Sequence, residues 1–239
     1  MIVSNIVVGL GEIGMPLFNI IRRFHPDTCG IDPAQGFDPS ECDGLVTKFL
    51  HVCIPGEVPS FVRIVEDYID RFKPTATIIH STVPVGITTS IGYENVFHSP
   101  INGKHANMHN DLLKHPKFIG GEDGAMAERV IVLFESCGME ARYVGPSEST
   151  ELGKILATTL FGYLIVWEQE VQRLCASFNL DREEVRRLWC EIDSSDWDVK
   201  SKYPGHIGGH CVMPNIELLL SQVDSGILES IKTSNKESL

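Results

Sequence analysis

Six residues near the amino terminus, Gly9-Leu10-Gly11-Glu12-Ile13-Gly14, leave this chain few folds to choose from. They follow a short apolar run, Asn5-Ile6-Val7-Val8, and open a segment of helical apolar spacing from Ile13 to Phe24. Strand, glycine turn and helix in that order form the phosphate-binding turn of a dinucleotide fold. The first glycine allows the tight turn, the second lets backbone approach a pyrophosphate, and the third lets helix pack on strand. The helix start, with Glu12 and Ile13 in the turn, offers N–H groups and positive potential to phosphates. An acid, Asp32, stands 18 residues after Gly14, at the end of a second strand candidate, Cys29-Gly30-Ile31. It is expected to take both ribose hydroxyls and to repel a 2′-phosphate, which favours NAD over NADP. Gly9, Gly11, Glu12, Ile13, Gly14 and Asp32 are therefore the expected cofactor residues.

The rest of the first half keeps alternating. Strand candidates at Phe49–Ile54, Thr75–His80, Val96–Phe97, Phe118–Ile119 and Ala141–Val144 are interleaved with helical patterns at 59–72 and 124–137, and 33–48 reads as a loop. This predicts an α/β class, a Rossmann-type doubly wound parallel sheet, over residues 1–146. Ser81 and Thr82 end the fourth strand, on the edge where a nicotinamide would lie. From 147 to 239 the pattern is all helical. One long helix, 147–178, carries Leu152, Ile155, Leu156, Leu160, Leu164, Trp167, Val171, Leu174 and Phe178 as an apolar stripe. Phe161, Ile165 and Val166 extend apolar surface beyond that stripe, which predicts a dimerisation region and a homodimer. A second helix is expected over 181–193, a loop over 194–213 and a last helix over 215–232.

Composition narrows the partners. Twenty basic against 32 acidic residues, a net charge of -12, argue against a broad nucleic-acid surface but leave room for an anionic small molecule in a local pocket. Glu12 interrupts the apolar stretch Ile2–Ile21, and Arg22-Arg23 follow it, so neither a signal peptide nor a membrane span is expected. Seven cysteines without a CxxC pair read as reduced thiols in a cytoplasmic protein, with no disulfide framework. His105 and His109 share an i,i+4 spacing, but no Glu follows His105, and no metal site is expected.

Two further residues carry chemistry. Lys154, in the first turns of the long helix among apolar neighbours, is placed to support a developing oxyanion. Cys211 follows Gly208-Gly209-His210 and precedes the helix near Asn215. Helix potential and an adjacent imidazole favour its thiolate, and the bare glycine backbone lets a substrate approach.

Taken together, Val8-Gly9-Leu10-Gly11-Glu12-Ile13-Gly14-Met15-Pro16, Ser81-Thr82-Val83-Pro84-Val85-Gly86 and Pro204-Gly205-His206-Ile207-Gly208-Gly209-His210-Cys211 resemble the UDP-glucose/GDP-mannose dehydrogenase family. More distantly they resemble the β-hydroxyacid/6-phosphogluconate dehydrogenase superfamily. The resemblance implies NAD-dependent oxidation of the C6 alcohol of a nucleotide sugar to a carboxylate by two hydride transfers. It extends over the family's first two regions, and the family's C-terminal nucleotide-sugar-binding domain is expected to have no counterpart. It further implies that Cys211 traps the aldehyde as a thiohemiacetal and then a thioester, that Lys154 stabilises the oxyanion, and that Thr82 helps position water. The chain departs from the family at Thr158, where an asparagine is usual, and at Asn215, where an aspartate is usual. Ile101-Asn102 stands where a glutamate would follow Ser99-Pro100. On the substrate side the expected residues are Asn102, Lys104, Thr158, Gly208, Gly209, His210 and Asn215.

Ser99-Pro100-Ile101-Asn102-Gly103-Lys104 and Phe118-Ile119-Gly120-Gly121 are also similar to the substrate loop of the β-hydroxyacid dehydrogenases. That second resemblance implies a single oxidation using Lys154 and no cysteine. A third expectation is an NAD-binding regulatory protein with a partly altered site.

Overall fold

The structure is a computed structural model and describes residues 3–103, 105–192 and 202–238. It divides into two compact units, Met1–Lys154 and Ile155–Leu239. The first unit opens with β1 (Val3–Val8), α1 (Gly14–Phe24), β2 (Cys29–Ile31), β3 (Val46–Val52) and α2 (Phe61–Phe72). It continues with β4 (Ala76–Ile79), the single turn α3 (Ile87–Ser90), β5 (Val96–His98), α4 (Met108–Lys114), β6 (Lys117–Ile119), α5 (Gly124–Ser136) and β7 (Ala141–Tyr143). The long helix α6 (Ser147–Ser177) runs on into the second unit, which adds α7 (Arg182–Ile192), α8 (Val212–Leu220) and α9 (Gly226–Glu237).

Five strands form one sheet in the order β2-β1-β3-β4-β5, every pairing parallel. Side chains alternate across it. Val7, Phe49, Ile78 and Phe97 face one cluster with Leu17, Phe18 and Ile21 of α1 and Val130 and Phe134 of α5. Ile6, Val8, Leu50, Val52 and Ile79 face the other with Phe61, Val65, Ile69 and Phe72 of α2. Helices on both faces make the sheet doubly wound, so the expected fold class holds. Local chemistry sets the ends. Asp123 caps α5 by accepting from the N–H groups of Ala125 and Met126 at 2.9 and 3.0 Å, and Gly138 leaves it with φ +77°. A separate parallel pair, β6-β7, lies beyond β5, bridged through His98 and Gly120.

Three expectations are corrected. Strand β3 starts at Val46, inside the segment read as a loop, because Val46 and Thr47 pair with Val3 and Ser4. The last helix is two: α8 ends at Leu220, and Ser225 caps α9 by accepting from Leu228 N–H at 3.4 Å. Its cue was present in Asp224-Ser225-Gly226. The cysteines are not all reduced, since Cys29 and Cys42 are joined by a disulfide, their Cα atoms 6.0 Å apart. Spacing of 13 residues gave no sign of this. The turn over Pro39–Cys42 brings Cys42 back beside β2.

In the second unit, Val166, Val171, Val212, Ile216, Leu219, Leu228 and Ile231 are buried. Helix α8 lies so close on α6 that a Cβ at Gly162 would fall 2.6 Å from Val212 Cγ1. Among the described residues no helix is long and apolar enough to cross a membrane.

Candidate functional site

The glycine turn leaves β1 between β2 and β3, where the strand order reverses and a doubly wound sheet opens a crevice. Gly9 has φ +84°, and a Cβ there would fall 2.9 Å from the Cys53 carbonyl carbon and the Ile54 nitrogen. A Cβ on Gly14 would overlap the Gly9 carbonyl oxygen. Both glycines are therefore demanded by the chain itself. Gly11 is different: a Cβ there meets nothing within 4 Å. Its bare backbone has no steric cause within the chain and leaves an open cradle at the start of α1. No side chain caps that helix and no acid sits in its first turn, so its N-terminal potential faces outward. Gly11, Glu12 and Ile13 line this end of the cradle, Gly11 and Glu12 exposed.

Asp32 sits beside the turn as expected. Its Oδ2 accepts from Leu10 N–H at 2.8 Å and from the Gln35 amide at 3.1 Å, while the same amide donates to the Leu10 carbonyl at 2.6 Å. The loops after β3 and β4 close the floor. Ser81 Oγ donates to the Ile54 carbonyl, and Gly56 is packed so tightly that a Cβ would overlap the Thr82 carbonyl oxygen. Ser81 is buried and Thr82 half-buried at this edge. The residues present thus fit a dinucleotide: an open glycine, a helix start and a ribose-side carboxylate share one strand edge.

The loop after β5 brings in Lys154. Its Nζ donates to the Ile101 carbonyl at 2.8 Å and to Asn102 Oδ1 at 3.4 Å. Two expected residues 52 positions apart are thereby joined at the sheet edge. Glu151, one turn earlier, accepts from Gly86 N–H at 2.7 Å, Thr88 N–H at 2.8 Å and the Thr88 hydroxyl at 2.6 Å, anchoring the start of α6 to α3.

Beneath that loop lies a buried basic cluster that sequence reasoning missed. Lys117, 2% exposed, donates to the Ser99 and Pro100 carbonyls at 2.8 and 3.0 Å. His80 Nδ1 donates to the Ser99 carbonyl at 2.7 Å, so its Nε2 accepts from His51 Nδ1 at 3.0 Å. His98 bridges the Thr150 hydroxyl and the Ser81 carbonyl at 2.8 and 3.1 Å. Burial, with the Lys117 charge added, holds His51 down to about 3. Burial likewise holds His98 at about 4 and His80 well below its ordinary value. Burial pulls Lys117 down to about 7 and pushes the Cys53 thiol up to about 12. One clue existed: Lys117 lies two residues before buried Ile119 on a strand, and period two puts both on one face.

The other expected residues belong to the second unit. Thr158 lies on α6, one turn beyond Lys154. Gly208, Gly209, His210 and Cys211 are exposed, Gly209 has φ +81°, and Cys211 is the N-cap of α8, with Asn215 N–H donating back to its carbonyl at 3.4 Å. The loop is held from both sides. Gln169 of α6 donates to the Gly205 carbonyl at 2.9 Å. Asn235 of α9 accepts from Ile207 N–H at 2.6 Å and returns a bond to the Ile207 carbonyl at 3.1 Å. Neither Gln169 nor Asn235 carries a motif. Lys104, expected on the substrate side, lies outside the described residues. Among the described residues no group of three or more His, Cys, Asp or Glu gathers as a metal site would.

No protein-family model matches the chain. Solved structures do resemble it. The UDP-D-ManNAc dehydrogenase of Pyrococcus horikoshii superposes with a TM-score of 0.81 at 19% identity, over 98% of this chain and 68% of that one. The UDP-glucose dehydrogenase of Pyrobaculum islandicum gives 0.74 at 15% identity, over 99% and 68%. The 3-hydroxyisobutyrate dehydrogenase of Mycobacterium tuberculosis gives 0.73 at 14% identity, over 99% of this chain and 94% of that one. At these identities the likeness establishes the fold, one that this chain has in common with dehydrogenases of two substrate types.

Proposed function

We propose that the chain is an NAD-dependent dehydrogenase that oxidises an alcohol on a small anionic substrate, a nucleotide sugar in the first instance. The observation that carries this reading is Gly11, bare toward open space between two sterically required glycines, with Asp32 beside it and Lys154 on the same strand edge. The Gly9–Gly14 backbone and the start of α1 would hold the pyrophosphate, Asp32 the adenosine ribose, and Ser81 and Thr82 the nicotinamide side. When bound, the nicotinamide accepts the hydride that leaves the substrate carbon. Lys154 would supply positive charge to the substrate oxygen as its proton passes to water. Lys104, Asn102, Thr158 and Asn215 would meet the rest of the substrate. In the two-step version the Cys211 thiolate would add to the aldehyde carbon, loss of a second hydride to another NAD would leave a thioester, and water positioned by Thr82 would hydrolyse it to the carboxylate and free the Cys211 thiol. Gly208, Gly209 and His210 keep that approach open. The protein would act as a homodimer through the 147–178 helix; a cytoplasmic setting, expected from reduced thiols, loses that support at the Cys29–Cys42 disulfide.

A second reading, single oxidation of a hydroxyacid, is favoured by one observation: Lys154 and Asn102 are already joined within the first unit, without Cys211. Titration with NADH, followed by assays over sugar nucleotides and hydroxyacids, tests both. NADH binding with turnover is expected, and NADH binding without any turnover would leave only a binding protein. Cys211→Ser then separates the routes, since it stops the two-step reaction after the first oxidation and leaves the single-step reaction intact.

A further inference from the structure

Asp32 is not held by its own backbone geometry alone. Its Oδ2 receives the Leu10 N–H at 2.8 Å and the Gln35 amide at 3.1 Å, and that amide also reaches the Leu10 carbonyl at 2.6 Å. Gln35 thus closes a ring in which the Leu10 N–H donates to the ribose-side carboxylate and the Leu10 carbonyl accepts from the amide that also donates to it. The segment is set for this. Asp32 and Phe37 exchange backbone hydrogen bonds at 3.0 Å, and Gly36 takes φ +85° to turn the chain. Among the described residues Asp32 Oδ1 accepts no hydrogen bond, so the ring engages one carboxylate oxygen and leaves the other facing no donor.

We propose that Gln35 is a positioning residue that sets the choice between NAD and NADP. By fixing Oδ2 it holds the carboxylate in the one rotamer that presents Oδ1 to a ribose 2′-hydroxyl and its charge to a 2′-phosphate. Without the amide, Asp32 keeps only the Leu10 N–H and turns more freely. A carboxylate that turns binds the hydroxyl pair less well and repels the phosphate less. The inference rests on the NAD reading of the glycine turn and adds a residue with no place in the turn motif.

Gln35 is exposed on its turn, so its substitution leaves the core untouched. Gln35→Met keeps length without donors. Dissociation constants for NADH and NADPH are measured by fluorescence titration on four proteins: the unsubstituted chain, Gln35→Met, Asp32→Asn and the double variant. Loss of a hydrogen bond to a charged group predicts that Gln35→Met weakens NADH about tenfold and shrinks the preference over NADPH by a similar factor. In the Asp32→Asn background the same substitution is expected to change neither constant by more than about twofold, because the group it acts through is gone. An unchanged NADH-to-NADPH ratio in Gln35→Met, with NADH still bound by the unsubstituted chain, overturns this inference alone. An equal effect in both backgrounds also overturns it, as a general loosening of the turn would. Failure of the unsubstituted chain to bind NADH overturns the cofactor reading together with it.

Discussion

Single atoms decide the most direct tests. A methyl group on Gly14 would overlap the Gly9 carbonyl oxygen, whereas one on Gly11 meets nothing within 4 Å. Gly14→Ala is therefore expected to cost about 2–4 kcal/mol of stability, since backbone must move to admit it. Gly11→Ala is expected to fold with its stability within about 1 kcal/mol of the parent, yet to lose NADH binding. Thermal unfolding and an NADH titration on the two variants measure both effects, and a Gly11→Ala protein that still binds NADH would remove the main support for the cofactor site. The buried histidines give a pH signature. His51 at about 3 and His98 at about 4 are neutral in the folded chain where the unfolded chain, near 6.5, binds protons. Stability is thus expected to fall as pH drops from 6.5 toward 4, and His98→Gln should flatten part of that slope. Lys117, at about 7 folded against 10.5 unfolded, acts in a higher window: stability rises with pH between these values. Melting midpoints from pH 4 to 10 check both arms, and a flat profile refutes them. The glycines were legible at this scale because their reasons are local. Lys117 was not, because a lysine on a strand reads as a surface residue until β5 and α5 are packed over it.

At the scale of elements, the segment that carries Asp32 and Gln35 is closed at both ends. Cys29 lies on β2 and Cys42 in the turn before β3, and the bond between them encloses Asp32 and Gln35. Closing a loop of this length contributes about 3 kcal/mol by chain entropy. Reduction with a dithiol, or Cys29→Ser with Cys42→Ser, is expected to lower the unfolding free energy by up to that amount and to weaken NADH binding. An unfolding curve indifferent to reductant would show that the bond contributes nothing. Helix and strand placement was largely legible, since periods of 3.6 and 2 report which face is buried. What escaped were α3 and α4, where no helix was expected, and boundaries set by partners: β3 extended by pairing with β1, and α8 separated from α9 by the Ser225 cap. The anchoring of α6 by Glu151 escaped too. A glutamate near the start of a helix reads as a complement to its own helix dipole, yet the Glu151 carboxylate accepts from Thr88 at the start of α3.

For the whole molecule, the exposed face of α6 is the informative surface. Leu156, Leu160, Tyr163, Trp167, Leu174 and Phe178 are all exposed, at 44–72%, along one side of the helix. Contiguous apolar exposure of this kind is what the proposed homodimer would cover. Trp167→Glu is expected to convert a dimer to a monomer in analytical ultracentrifugation without lowering the helix signal in circular dichroism. A parent that sediments as a monomer at micromolar concentration would remove the homodimer. The sequence by itself determined the alternation of the main strands and helices, the glycine turn and its acid, because steric and periodic rules act between residues a few positions apart. Only the tertiary structure decided that Gln35 ties Asp32 to Leu10, that Lys154 meets Asn102, that Cys42 bonds Cys29, and that Lys117 lies buried under the loop after β5. Apart from the short Gln35–Asp32 link, those pairings join residues 13 or more positions apart, where the alternatives are many and the free energy is settled only when the sheet and its helices bring the groups together.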